Sequence, residues 1–216
     1  MSSQDELSRL EFAALISSRI CHDVISPVGA IANGFEVLAD ETDEEMRKHA
    51  FELIKQSAGQ ASAKLQFARL AFGAAGSQDA KIDLRDAESV TRGILDPDKH
   101  QLEWSGPIAN VAKNKVKLLL NMAAICVAAL PRGGQINVTI SGEDDEMAFS
   151  VRSEGERVML SKSVPDLLNG NHDEELDAHA IQPFYTYQLA IASNMVLKSE
   201  AEIDHVTLSA APSPSQ

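Results

Sequence analysis

From about Asp5 to Ala39 the residues Leu10, Ala13, Ser17, Ile20, Val24, Val28, Ile31, Phe35 and Leu38 recur at alternating steps of three and four. That spacing lays one apolar stripe along an α-helix. No other feature constrains the fold as tightly. A segment this long predicts a single amphipathic helix, kinked at Pro27 and weakened at Gly29 and Gly34. After the polar turn Asp40 to Asp43 a second stripe follows, through Ile54, Ala58, Ala61, Leu65, Ala68 and Phe72. Two long helices joined by a short turn form an antiparallel hairpin. The stripes are rich in small residues, so one hairpin buries little. Two hairpins must pair to complete a four-helix core, which makes a homodimer the expected assembly. Gly73 to Ser77 reads as a linker, so the hairpin is assigned residues 1–75.

Over residues 76–210 the grammar changes to alternating helices and strands, as in a separate α/β unit. The reading places a strand near Lys81 to Leu84, a helix from Asp86 to Leu95 and a strand from His100 to Trp104. An apolar helix follows from Asn114 to Leu130. Pro131 to Gly134 turns the chain into strands Gln135 to Ile140 and Met147 to Val151, connected by Gly142 to Asp145. A polar stretch from Ser153 to Ala180 leads to a helix from Pro183 to about Leu197 and a last hairpin. The tail 211–216 reads as disordered. The predicted class is α plus α/β.

A formal charge of −13 with no basic stripe argues against nucleic acid and anionic membrane as partners and favours protein. Cys21 and Cys126 lie far apart in apolar helical surroundings and read as small buried hydrophobes, not as a disulfide or metal pair. The first residues lack a basic region followed by an apolar run, and the apolar stretch near Leu118 to Leu130 is too short to span a bilayer. A cytoplasmic location is expected.

His22 stands two residues after Ile20 and two before Val24, so each step turns it about 200° from the stripe. It should point outward. An imidazole with a reference pKa of about 6.5 is largely neutral at cellular pH and keeps one ring nitrogen free as a nucleophile. Asp23 follows directly, and Arg19 and Ser26 lie about one turn away on either side. The carboxylate can fix the ring tautomer and the cation can meet the charge of a transferring phosphoryl group. The plainer readings are a solvated charge for Arg19 and, for Ser26, a hydroxyl bonded back to its own helix. Asn33 and Gly34 read as a packing or bending pair rather than chemistry. His49, His100, His172, His179 and His205 lack metal-ligand spacing and read as ordinary histidines. The acidic run His172 to Asp177 reads as a loop or helix start.

The string His22-Asp-Val-Ile-Ser-Pro27 resembles the H-box of histidine kinases. Its extension through Val28-Gly-Ala-Ile-Ala-Asn33-Gly34 is similar to the ChpT family of alphaproteobacterial histidine phosphotransferases, and the resemblance covers nearly the whole chain. It implies a dimeric four-helix bundle followed by a degenerate histidine-kinase-like ATP-binding domain. Val116 to Ile136 is similar to the helix, turn and strand around the kinase N-box. Asn121 falls on its first Asn, but the position expected to hold magnesium is Ile125, which offers no oxygen. Where an Asp-x-Gly-x-Gly box should read adenine, the chain has Ser153-Glu-Gly-Glu-Arg157. The phosphate-cradling glycine box has become Phe184-Tyr-Thr-Tyr-Gln188, without a glycine.

The resemblance therefore implies a phosphorelay protein. His22 is the phosphoryl acceptor, Asp23 its orienting acid, and Arg19 and Ser26 are auxiliary contacts. The donor is a receiver aspartate of a CckA-like hybrid histidine kinase, and the recipients are CtrA-like and CpdR-like response regulators. No cofactor is expected on this chain, because the receiver supplies Mg²⁺. Two other readings stand beside it, an ATP-dependent histidine kinase and a non-catalytic scaffold that only docks receivers.

Overall fold

The computed structural model of the protein describes residues 8–73, 80–171 and 176–214. Helix α1, Arg9–Asp40, starts at a capping box in which Ser8 Oγ accepts the Glu11 N–H at 3.2 Å and Glu11 Oε2 accepts the Ser8 N–H at 3.0 Å. It continues unbroken through Pro27. Helix α2, Glu44–Ala71, begins at Asp43, whose carboxylate accepts from the Glu45 and Met46 amides at 2.9 and 3.0 Å. Arg47 reaches back to the Leu38 and Glu41 carbonyls, tying off the end of α1. The expected hairpin is present, with its turn where the polar residues placed it.

The two helices meet through small residues. Pro27 and Gly34 are the buried positions of α1, facing Ala50, Ile54, Ser57 and Ala61 on α2. A Cβ at Gly34 would lie 2.5 Å from Ile54 Cγ1, so the close approach depends on this glycine, as the packing interpretation of Asn33-Gly34 expects. Part of the apolar stripe stays uncovered: Leu10, Val28 and Phe35 on α1 and Leu65 on α2 are exposed, while Ile20, Val24, Ile31 and Leu38 are half-buried.

Beyond the hairpin, β1 (Lys81–Asp83) pairs antiparallel with β3 (Asn110–Ala112), a strand too short for its pattern to be read in sequence. Between them lie helix α3, Leu84–Gly93, and β2, His100–Ser105. Helix α4, Lys113–Ala128, precedes β4 (Gly134–Ser141) and β5 (Ala148–Glu154). Gly133, at φ +89°, makes the turn into β4, where a Cβ would strike the Lys99 carbonyl oxygen. The short helix α5, Val164–Leu168, lies inside the polar stretch Ser153 to Ala180. Helix α6, Ile181–Ala192, is followed by β6 (Met195–Ala201) and β7 (His205–Pro212).

These strands make a five-stranded sheet, β2-β4-β5-β7-β6, parallel only at β2–β4. Residues in register align their buried sides: Val138 opposite Val151 opposite Leu208, and Ile140 opposite Phe149 opposite Ala210 opposite Leu197. This face packs under α4, where Val116, Leu118, Leu119, Leu120 and Met122 are fully buried, and under α6. The architecture is thus the helical hairpin plus two-layer α/β domain that the sequence predicted.

Three expectations are corrected. The last helix ends at Ala192, not near Leu197, because Asn194 takes the left-handed conformation (φ +53°) and Met195, Val196 and Leu197 then alternate in burial with period two. The segment read as a disordered tail from 211 instead continues β7 through Pro212, and Ser213 donates its N–H to the Asn194 carbonyl. Cys21 is exposed, while only Cys126 behaves as a buried hydrophobe, its thiol pushed up to about 12 by burial. Most of the Gly73–Ser77 linker, most of the acidic run from His172, and residues 215–216 lie outside the described residues.

The domain is docked on the hairpin. Tyr185 of α6 meets Phe12 of α1 and Phe72 after α2, with ring centroids 5.6 and 5.8 Å apart. Phe67 and Ala71 of α2 join the main core, while Phe12, Leu15 and Ile16 of α1 pack on a cluster formed by Leu167, Leu176, Ile181 and Phe184.

Candidate functional site

The exposed outer face of α1 carries His22, its side chain 56% accessible. Its Nδ1 lies 3.6 Å from Asp23 Oδ1, an ion-pair distance longer than a hydrogen bond. The other oxygen, Asp23 Oδ2, accepts from Arg19 Nε at 3.0 Å, one turn back on the helix. Arg19 is therefore paired with the carboxylate instead of lying free as a solvated charge. Ser26 is exposed one turn on, and among the described residues its hydroxyl has no partner, so it does not bond back to the helix.

Two neighbours were not foreseen. Lys64 of α2 donates from Nζ to the Asp23 carbonyl at 2.9 Å, pinning that turn of α1 from the second helix. His179, read as an ordinary histidine, stands on the turn before α6 with its ring centroid 4.8 Å from that of His22 and the planes at 78°. These contacts connect residues 41 and 157 positions apart, which no helical periodicity can reveal. Arg19, Asp23 and Lys64 also line a cleft of about 160 Å³ whose far wall includes Ile94, Ala124 and Gln182.

The turn carrying His179 is fixed by Asp177. Its Oδ1 accepts the Ala180 N–H at 2.7 Å and the His179 N–H at 2.8 Å. These amides, Ala180's foremost, hold the carboxyl below the usual range. The last residue of the acidic run thus caps the turn that precedes α6, whose own first residue follows at Ile181.

In the tracts equated with nucleotide boxes, Asn121 is fully buried. Its amide donates to Lys117 O at 2.9 Å and to Ala71 O at 3.4 Å, and its oxygen accepts from Gln182 Nε2 at 3.2 Å. Ile125 is buried in the apolar core. Phe184 to Gln188 lies inside α6, with Phe184 and Thr186 buried, so this tract is helix and not a loop of free amides before one. These residues do not fit a magnesium-bound nucleotide.

A helical hairpin with an exposed, carboxylate-paired imidazole, joined to an α/β domain, is matched by proteins of the phosphotransfer class. Residues 84–205 match the family model described as the histidine phosphotransferase C-terminal domain. The chain is 44% identical over 211 residues to the protein phosphotransferase ChpT of Brucella abortus (strain 2308), covering 97% of this chain and 100% of that one. A solved bacterial phosphotransferase superposes with a TM-score of 0.87 at 41% identity, over 97% of this chain and 100% of that chain. The chain belongs to the ChpT family of histidine phosphotransferases, and a protein phosphotransferase activity follows from that membership. Among the described residues no helix is long and apolar enough to cross a membrane.

Proposed function

We propose that His22 carries a phosphoryl group between receiver domains in a multistep phosphorelay. The observation that carries this reading is the pairing of an exposed imidazole with a carboxylate that is itself held by Arg19. A proton kept on Nδ1, toward Asp23, leaves the Nε2 lone pair free. That lone pair attacks the phosphorus of a receiver's aspartyl phosphate. The N–P bond forms, the P–O bond breaks, and the receiver carboxylate leaves with the electron pair. Asp23 balances the positive charge of the phosphorylated ring. In the second transfer another receiver's aspartate attacks, and the N–P pair returns to the ring. Magnesium belongs to the receiver's acidic pocket, where it neutralises the transferring oxygens.

The receivers fitting this role are that of a CckA-like hybrid kinase as donor and those of CtrA-like and CpdR-like regulators as acceptors, in the cytoplasm. Two copies of the chain form the working unit. Val28 and Phe35 on α1, and Phe51 and Leu65 on α2, are exposed at heptad-multiple spacing, so each helix presents a second apolar stripe for another hairpin.

The test is a reconstituted relay. A phosphorylated receiver mixed with wild type should place acid-labile phosphate on this chain, and His22→Ala should abolish it. Transfer undiminished in His22→Ala would refute the proposal. Labelled Mg-ATP alone should leave the chain unlabelled, since Asn121 and Ile125 offer no metal ligand; label on His22 would identify a kinase instead.

A further inference from the structure

We infer that His179 is a positioning residue for phosphoryl transfer, the contribution of the α/β domain to a site otherwise built on the hairpin. The inference rests on His22 being the phosphoryl carrier. It starts from the edge-to-face contact of the two imidazoles at 4.8 Å and 78°. Both rings are on the surface, so apolar burial does not account for the contact.

The His179 backbone is held from three directions. Asp177 accepts its N–H and that of Ala180, which fixes the turn. Ala180 packs against the cluster of Leu167, Leu176, Ile181 and Phe184, on which Phe12, Leu15 and Ile16 of α1 also pack. Three residues after His179, Gln182 donates to buried Asn121, which in turn bonds the carbonyl of Ala71 at the end of α2. A side chain on so anchored a turn is a stop for its neighbour. It does not itself need to adjust.

An imidazole on an open helix face samples several side-chain torsions, whereas attack on phosphorus requires Nε2 close to the line of the breaking P–O bond. Asp23 limits the ring of His22 from the Nδ1 side. His179 limits it from the side of the α/β domain. The two contacts together leave a narrower range of ring orientations for an incoming aspartyl phosphate, without His179 touching the phosphoryl group.

Single-turnover transfer from a phosphorylated receiver to the full-length protein tests this across a receiver titration. His179→Ala should lower the saturating rate by about 10-fold, the range for loss of a group that orients a reactive side chain. The receiver concentration giving half-maximal rate should stay unchanged. His179→Phe, which keeps a ring edge against His22 but no nitrogen, should restore most of the rate. A wild-type saturating rate in His179→Ala overturns the inference, as does a His179→Phe variant as slow as His179→Ala. A change confined to the half-saturating concentration would assign His179 to receiver docking and equally overturn it. If His22→Ala still accepts phosphate in the same assay, the failure lies with the carrier assignment.

Discussion

At the scale of single residues, the candidate site is a set of paired side chains and backbone groups. Arg19, Lys64, Asp23 and Asp177 each fix a neighbour in place: Arg19 the Asp23 carboxylate, Lys64 the Asp23 carbonyl, Asp23 the His22 ring, Asp177 the turn bearing His179. Asp177 gives this a pH dependence. Its folded carboxyl is held below its ordinary value by the Ala180 and His179 amides, so its contribution is complete above the unfolded pKa of about 3.9 and disappears as pH falls through the lower folded value. Asp177→Ala should cost about 1 kcal/mol at neutral pH, the usual cost of losing a side chain that caps backbone amides. Urea melts at stepped pH should show the gap between wild type and variant closing as the solution is acidified below about pH 4. The outward position of His22 beside Asp23 was legible in sequence from its displacement off an apolar stripe, and its candidacy from the resemblance of His22 to Pro27 to an H-box. Lys64 and His179 were not, because the contacts that bring them in depend on how α2 and α6 pack.

At the scale of elements, α1 and α2 were legible as a hairpin, since a long repeat of three and four interrupted by the polar turn Asp40 to Asp43 leaves few alternatives. What the stripe did not disclose is that α1 meets α2 through Pro27 and Gly34, each one position before a stripe residue, Val28 or Phe35, that is left open. The two glycines of α1 test this division. A Cβ at Gly34 collides with Ile54, while at Gly29 nothing lies within 4 Å. Gly34→Val should destabilise the fold by about 1–3 kcal/mol through overpacking. Gly29→Ala should stabilise it by about 0.5–1 kcal/mol by removing backbone freedom from the unfolded chain. Chemical denaturation of the two variants reads both signs. The short strand β3 and the early end of α6 escaped the sequence reading for different reasons. Three residues are too few to show a period, and the apolar run through Leu197 is equally compatible with helix until Asn194 reverses the chain.

At the scale of the whole molecule, the uncovered apolar residues of the two-helix arm are the surface through which the proposed dimer would form. Phe35→Glu should convert the proposed dimer to monomer in sedimentation equilibrium while leaving the circular dichroism of the α/β domain intact. A Phe35→Glu variant still wholly dimeric would place the interface elsewhere. The α/β domain, by contrast, is joined to its own hairpin by a buried polar knot. Asn121 is spent on Ala71, Lys117 and Gln182. One amide thus fastens three helices at a single point. Whatever shifts α2 at Ala71 pulls on α4 and α6 together, so arm and body cannot tilt independently without breaking a buried hydrogen bond.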